Sequence, residues 1–166
     1  VDNVNMRVHK GDIYGFIGRN GAGKSTTLKM LCGLVYPSSG EIQLFDGSVM
    51  DERARRRIGI LIEESGLYPN LTARENMLLK ANCLGLVSDG SVDQTLELMN
   101  IADTGKKKVK NFSMGMKQRL GIAMALLGNP DLLILDEPIN GLDPEGIREI
   151  RECLQRLNEQ AGKTII

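Results

Sequence analysis

Apolar positions along this chain fall into two kinds, short solid runs and helical stripes, and the two alternate. Ile13 to Ile17 is a run that ends at Gly18, and the next stretch, Lys24 to Leu34, carries Leu28, Leu31, Cys32 and Leu34 at helical spacing, so the pair reads strand, loop, helix. Pro37-Ser38-Ser39-Gly40 is a turn, and Glu41 to Phe45 then alternates polar and apolar like a strand. Asp51 to Arg57 reads as a short charged helix, and Ile58 to Ile62 as a second apolar strand. The middle of the chain changes character. Thr72 is placed to cap a helix over Ala73 to Leu84, Ser91 to start one reaching about Ile101, and Ser113 to start one reaching Leu127, with no strand from about residue 63 to 129. Leu132 to Leu135 returns as an all-apolar strand, followed by a helix from about Pro144 to Gln160 and a strand-like Thr164-Ile165-Ile166.

Fully apolar strands alternating with helices argue for an α/β fold, a mostly parallel sheet with helices on both faces, interrupted by a helical insert. The expected division is a core of residues 1–62 and 130–166 around an α-helical subdomain of residues 63–129. No internal repeat or low-complexity segment appears.

Composition narrows the partners more than the fold. Apolar residues make up 42% of the 166 positions and charged residues 25%, as in ordinary soluble domains. The longest apolar stretches, Leu132 to Leu135 and Ala123 to Leu127, fall far short of the roughly 20 residues a membrane span needs. No secretory leader is visible. Twenty-one basic residues balance twenty-one acidic ones, which argues against nucleic acid as the main partner. The basic runs Arg53 to Arg57 and Lys106 to Lys110 lack interleaved aromatics and read as solvated faces. Cys32, Cys83 and Cys153 show no pairing or metal-ligand rhythm and read as reduced thiols of a cytosolic protein. Val1 stands close to a strand and Lys163-Thr164-Ile165-Ile166 reads as the opening of another, so a longer domain is expected around these residues.

Gly18-Arg19-Asn20-Gly21-Ala22-Gly23-Lys24-Ser25 fits G-x-x-x-x-G-K-[ST] in full, between a strand and a helix. Glycines let successive backbone N–H groups curl around a polyphosphate, and the following helix adds its positive end. Gly18, Asn20, Gly21, Ala22, Gly23, Lys24, Ser25 and Thr26 are therefore the candidate nucleotide-binding set. Lys24 would reach the β and γ phosphates and the Ser25 hydroxyl would ligate Mg²⁺. In Leu132-Leu133-Ile134-Leu135-Asp136-Glu137 a buried strand delivers two carboxylates at its carboxyl end, the edge where open parallel sheets place their ligands. Asp136 would hold Mg²⁺ through its water shell, and Glu137 would orient and polarise the water attacking the γ phosphate. Loop and carboxylates together indicate a nucleotide-hydrolysing P-loop protein of RecA-like architecture.

The insert separates the families. Phe112-Ser113-Met114-Gly115-Met116-Lys117-Gln118-Arg119, opening a helix, resembles the signature sequence of ABC-type ATPases, usually Leu-Ser-Gly-Gly-Gln. Ser113 and Gly115 match it, while Phe112, Met114 and Met116 depart. Gly33-Leu34, Pro37 to Ile42, Leu71 to Asn76 and Gly141-Leu142-Asp143-Pro144 extend the resemblance over the whole chain. The resemblance implies two domains meeting head to tail, with Mg-ATP between one copy's phosphate loop and the other's signature helix. It places the Ser113 hydroxyl and Gly115 N–H at the partner's γ phosphate, and Asp143 in the loop that crosses to the partner. Glu63 falls where most relatives carry a glutamine that touches Mg²⁺ and senses the membrane subunit. With Glu64 and Tyr68 to Thr72, it resembles exporter subunits that protect bacteria against bacitracin and lantibiotic peptides. The implied protein is the ATP-binding subunit of an ABC transporter, peripheral on the cytoplasmic side of the membrane. Its implied partners are an integral-membrane permease, docking around Glu63 to Arg74, and a second ATPase domain. A soluble, non-transport ABC ATPase acting on DNA or ribosomes is the alternative. His9, the one histidine, precedes the loop, so the family's switch histidine and its base-stacking aromatic would lie outside residues 1–166.

Overall fold

A computed structural model of the chain describes residues 1–45, 47–48, 51–62, 66–86 and 90–166. The elements run α1 (Lys24–Leu31), β1 (Gln43–Leu44), β2 (Gly47–Ser48), α2 (Glu52–Arg55), β3 (Ile58–Leu61), α3 (Ala73–Cys83), α4 (Ser91–Leu98), α5 (Met114–Leu126), β4 (Leu132–Leu135), α6 (Pro144–Ala161) and β5 (Thr164–Ile165). Local chemistry sets most of these boundaries. Thr72 and Glu75 close a reciprocal capping box at α3, Ser113 caps α5 through Met116 N–H, and Asp143 caps α6 with Pro144 at its first position. The α4 helix starts at the expected Ser91, but its N-cap is Gly90.

Strands β3, β4 and β5 form a parallel sheet in the order β3-β4-β5, with Ile58 opposite Leu132 and Leu132 opposite Thr164. β1 and β2 form a separate antiparallel hairpin, so the strand expected over Glu41 to Phe45 is reduced to two residues. The strand expected over Ile13 to Ile17 is corrected more sharply. Only Ile13 bridges to Ile165, with Tyr14 N–H donating to the Ile165 carbonyl (2.7 Å) and Ile165 N–H to that of Asp12 (2.9 Å). Among the described residues this segment has a partner on one side only, and alternate side chains lack cover. Tyr14 and Phe16 are half-buried, whereas Ile17 is 95% exposed, so a ladder has little to hold it beyond one bridge.

The bridge still positions the site. Residues 12–14 run parallel to β5 and β5 runs parallel to β4, so Gly18 and Asp136 emerge at the same edge of the sheet.

Side chains of the sheet sort by the two-residue period. Leu61, Leu133, Leu135 and Ile165 enter a large core shared with α3, α4, α5 and α6, while Ile58, Leu132 and Ile134 join Leu28 and Cys32 beneath α1. Gly59 explains how closely α5 can approach. A Cβ there would lie 2.1 Å from the Ala125 carbonyl oxygen, so only glycine lets α5 rest on β3.

Candidate functional site

The phosphate-loop residues form an exposed turn between the bridged segment and α1. Ala22 N–H closes the turn on the Arg19 carbonyl (3.1 Å), and Gly21 and Gly23 take φ of +80° and +94°, a conformation that costs glycine little. Gly23 is the N-cap of α1 and has no side chain to cap with, so the first N–H groups of the helix remain for a ligand. The Lys24 ammonium folds back over the loop, donating to the carbonyls of Gly18 (3.1 Å) and Arg19 (3.4 Å). Asn20 and Thr26 are exposed beside it, and Ser25 is half-buried on the first turn of α1.

The two carboxylates at the end of β4 behave differently. Asp136 N–H donates to the Leu61 carbonyl (2.7 Å), which fixes its backbone at the edge of the sheet. Glu137 has φ of +48°, an uncommon backbone conformation for a residue with a long side chain. Its Oε1 lies 4.0 Å from Lys24 Nζ, and its Oε2 accepts from Asn140 Nδ2 at 3.0 Å. The loop and the β4 terminus, far apart in sequence, thus meet as a cation facing a carboxylate. Nothing in the sequence pattern marked Asn140 as a partner of Glu137. The available clue was its place three residues on in a turn, where asparagine is common for other reasons.

Ser113, Gly115 and Asp143 form a second group. Ser113 Oγ accepts from Met116 N–H (3.2 Å), and as a hydroxyl it keeps a proton to donate. Met114 is 56% exposed; its side chain lies against Gly141, and Leu142 packs against Gly115. Asp143 accepts from Gly146 N–H (2.8 Å) as the cap of α6. Among the described residues, no hydrogen bond or ion pair joins residues 113–116 to residues 18–26. Glu63 lies outside the described residues. Asn76, buried on α3, locks the loop at residues 66–72 by accepting from Tyr68 N–H (2.8 Å) and donating to the carbonyls of Tyr68 (3.2 Å) and Thr72 (2.8 Å), and the Tyr68 ring is exposed.

The loop fits a polyphosphate. The helix that follows has no side-chain cap at Gly23, its lysine is held by neutral carbonyls that a phosphate would outcompete, and glycine occupies the left-handed positions at 21 and 23. Ser25 on the first turn of α1 and Asp136 at the end of β4 are the residues that would hold a divalent cation, each through an oxygen. Among the described residues no group of three or more His, Cys, Asp or Glu is placed to hold a metal ion.

A sequence profile described as ABC transporter matches residues 1–140. The chain belongs to the ABC transporter family. It is 51% identical to the bacitracin transport ATP-binding protein BcrA of Bacillus licheniformis, over 99% of this chain and 55% of that protein. It is 49% identical to the lantibiotic transport ATP-binding protein SrtF of Streptococcus pyogenes, over 100% of this chain and 71% of that protein. Among solved structures it resembles a dimeric ATP-binding cassette in a post-hydrolysis state bound to ADP and Pi, with a TM-score of 0.84 at 28% identity, covering 98% of this chain and 76% of that one. The ABC ATPase fold expected from the motifs is therefore the fold observed. The chain spans about 55% of the first of these relatives. No helix among the described residues is long and apolar enough to cross a membrane.

Proposed function

We propose that this chain is the nucleotide-binding part of an ABC exporter's ATPase subunit, hydrolysing Mg-ATP between two head-to-tail copies. The observation that carries the reading is the meeting of Lys24 and Glu137 across 4.0 Å, with Glu137 held at a backbone angle that sequence preference alone would not select. The relatives that transport bacitracin and lantibiotics support peptide antibiotics as the class of cargo.

In this reading residues 1–62 and 130–166 are the catalytic core and 63–129 the helical subdomain. Lys24 moves from the loop carbonyls to the β and γ phosphates, and the N–H groups of Gly21 to Thr26 bind the rest of the chain of phosphates. Ser25, Asp136 and Glu63 would hold Mg²⁺, whose charge neutralises phosphate when bound. Glu137 orients the attacking water and accepts its proton. Ser113 and Gly115 act on the partner copy's γ phosphate, and Asp143 carries the crossing loop, consistent with the lack, among the described residues, of any bond between residues 113–116 and the phosphate loop within one copy. The loop at residues 66–72, pinned by Asn76, would dock a membrane permease from the cytoplasmic side, so that closure of the ATPase pair shifts the permease between two states.

Glu137→Gln in the intact protein tests this. ATP affinity should stay within about threefold while turnover falls at least 100-fold, and an ATP-bound dimer should accumulate on size-exclusion chromatography. Turnover at the native rate would remove Glu137 from the reaction.

A further inference from the structure

Glu137 is a long side chain at an exposed turn, and nothing in its own chemistry fixes which way its carboxylate faces. The terminal torsion of a glutamate is broad and roughly two-fold, so an untethered carboxylate samples many orientations. Three observations show that this one is tethered. Asn140 Nδ2 donates to Oε2 at 3.0 Å, Asn140 N–H donates to the Glu137 carbonyl at 3.0 Å, and Glu137 itself holds a φ of +48° at the start of that turn. Oε1 is left facing Lys24.

We propose that Asn140 is the positioning residue for Glu137: by occupying Oε2 it fixes the carboxylate plane and directs Oε1 to the phosphate side, where the water must be activated. The inference rests on the proposed role of Glu137. An amide is suited to the task because its NH₂ donates and carries no charge. It steers the carboxylate without a cation that would weaken it as a base or a second anion that would repel it. The backbone bond to the Glu137 carbonyl makes the arrangement local to residues 137–140, so it survives motion of the rest of the domain. Lys24 is the one charged side chain, among the described residues, that the structure pairs with Glu137.

The test is steady-state ATP hydrolysis and equilibrium ATP binding by the intact protein carrying Asn140→Ala, Asn140→Asp or Asn140→Ser. Asn140→Ala should lower kcat about tenfold with ATP affinity unchanged, because orientation is lost and binding is not. Asn140→Asp, isosteric but anionic and without the donor, should lower kcat further, to about 100-fold. Asn140→Ser, whose hydroxyl can still donate, should recover part of the loss. In a Glu137→Gln background, Asn140→Ala should change the residual rate by less than about twofold, since there is no catalytic carboxylate left to steer. Native kcat in both the alanine and aspartate variants would overturn the proposal, as would a loss that falls equally on ATP affinity or that persists undiminished in the Glu137→Gln background. If Glu137→Gln alone keeps native turnover, the role of Glu137 fails first, which separates that failure from failure of the Asn140 proposal.

Discussion

The two faces of the sheet are covered to different depths. On one, Leu61, Leu133, Leu135 and Ile165 disappear beneath α5, α6 and the helices stacked on them, and Leu133, Leu120 and Ile122 are fully buried. On the other, Ile58, Leu132 and Ile134 have only α1 and the loops beside it, Ile60 is 39% exposed, and a groove of about 1220 Å³ opens between residues 1–10 and 35–45. The chain exposes 10332 Å² in all, where a folded monomer of its mass would expose about 8,100 Å². On the thin face Leu34, Val35 and Tyr36 stand exposed after α1. The thick face supplies the stability that holds β4 in place, and the thin face carries the phosphate loop. The exposed turn before α1 is mounted on the weaker side, and Glu137, which meets its Lys24 at 4.0 Å, follows a strand anchored by the stronger one.

The sharpest way to break this contrast is at Gly59. Replacing it with alanine would put a methyl 2.1 Å from the Ala125 carbonyl oxygen and 2.7 Å from Leu133 Cδ2, and the Ala125 backbone cannot yield without lifting α5. Gly59→Ala should cost about 3 kcal/mol or more in denaturant unfolding. Ile60→Ala, the neighbouring position on the thin face, should cost about 1 kcal/mol, since much of its side chain already meets water. Equal losses at the two positions would mean that the faces contribute alike.

Thr72 offers a smaller perturbation within the helical segment. Its hydroxyl accepts from Glu75 N–H (3.2 Å), and Glu75 in return accepts from Thr72 N–H (2.6 Å). Thr72→Ala should cost about 1 kcal/mol. Thr72 N–H first, then Lys108, holds the Glu75 carboxyl below its usual pKa. A group with a lowered folded pKa stabilises the fold above its unfolded value, about 4.3, and loses that contribution as pH falls through the folded value. The native protein should therefore shed part of its stability in that acid window, and Glu75→Gln should flatten the dependence there. An unchanged acid profile would show that the capping box adds nothing measurable.

What the sequence made legible follows from the range of the interactions involved. The helix that opens at Lys24, the bounds of β4 at Leu132 and Leu135, and the caps Thr72 and Ser113 are decided within a few residues, and all are found where the pattern puts them. The Ile13 to Ile17 segment falls short of the expected strand because an apolar run forms a ladder only if neighbours cover it, and that is a tertiary fact. The closeness of α5 to Gly59, the seating of Met114 on Gly141, and the tether from Asn140 to Glu137 were invisible for the same reason. Each depends on where a distant segment or an unusual φ brings a side chain.

Cysteine labelling probes the two faces without changing a residue. Cys83 is exposed, whereas Cys32 lies beneath α1 on the thin face and Cys153 lies in the thick core against Met99. Burial pushes the Cys32 thiol up to about 12 and also raises that of Cys153, so neither offers thiolate at neutral pH while the fold is closed. In the folded protein at pH 8 one thiol, Cys83, should react promptly with an aromatic disulfide reagent. Under mildly denaturing conditions Cys32 should follow before Cys153, because α1 can open without disturbing the helices on the other face. Simultaneous labelling of the two buried thiols would instead show a single cooperative unit, and the thin face would then be no weaker than the thick one.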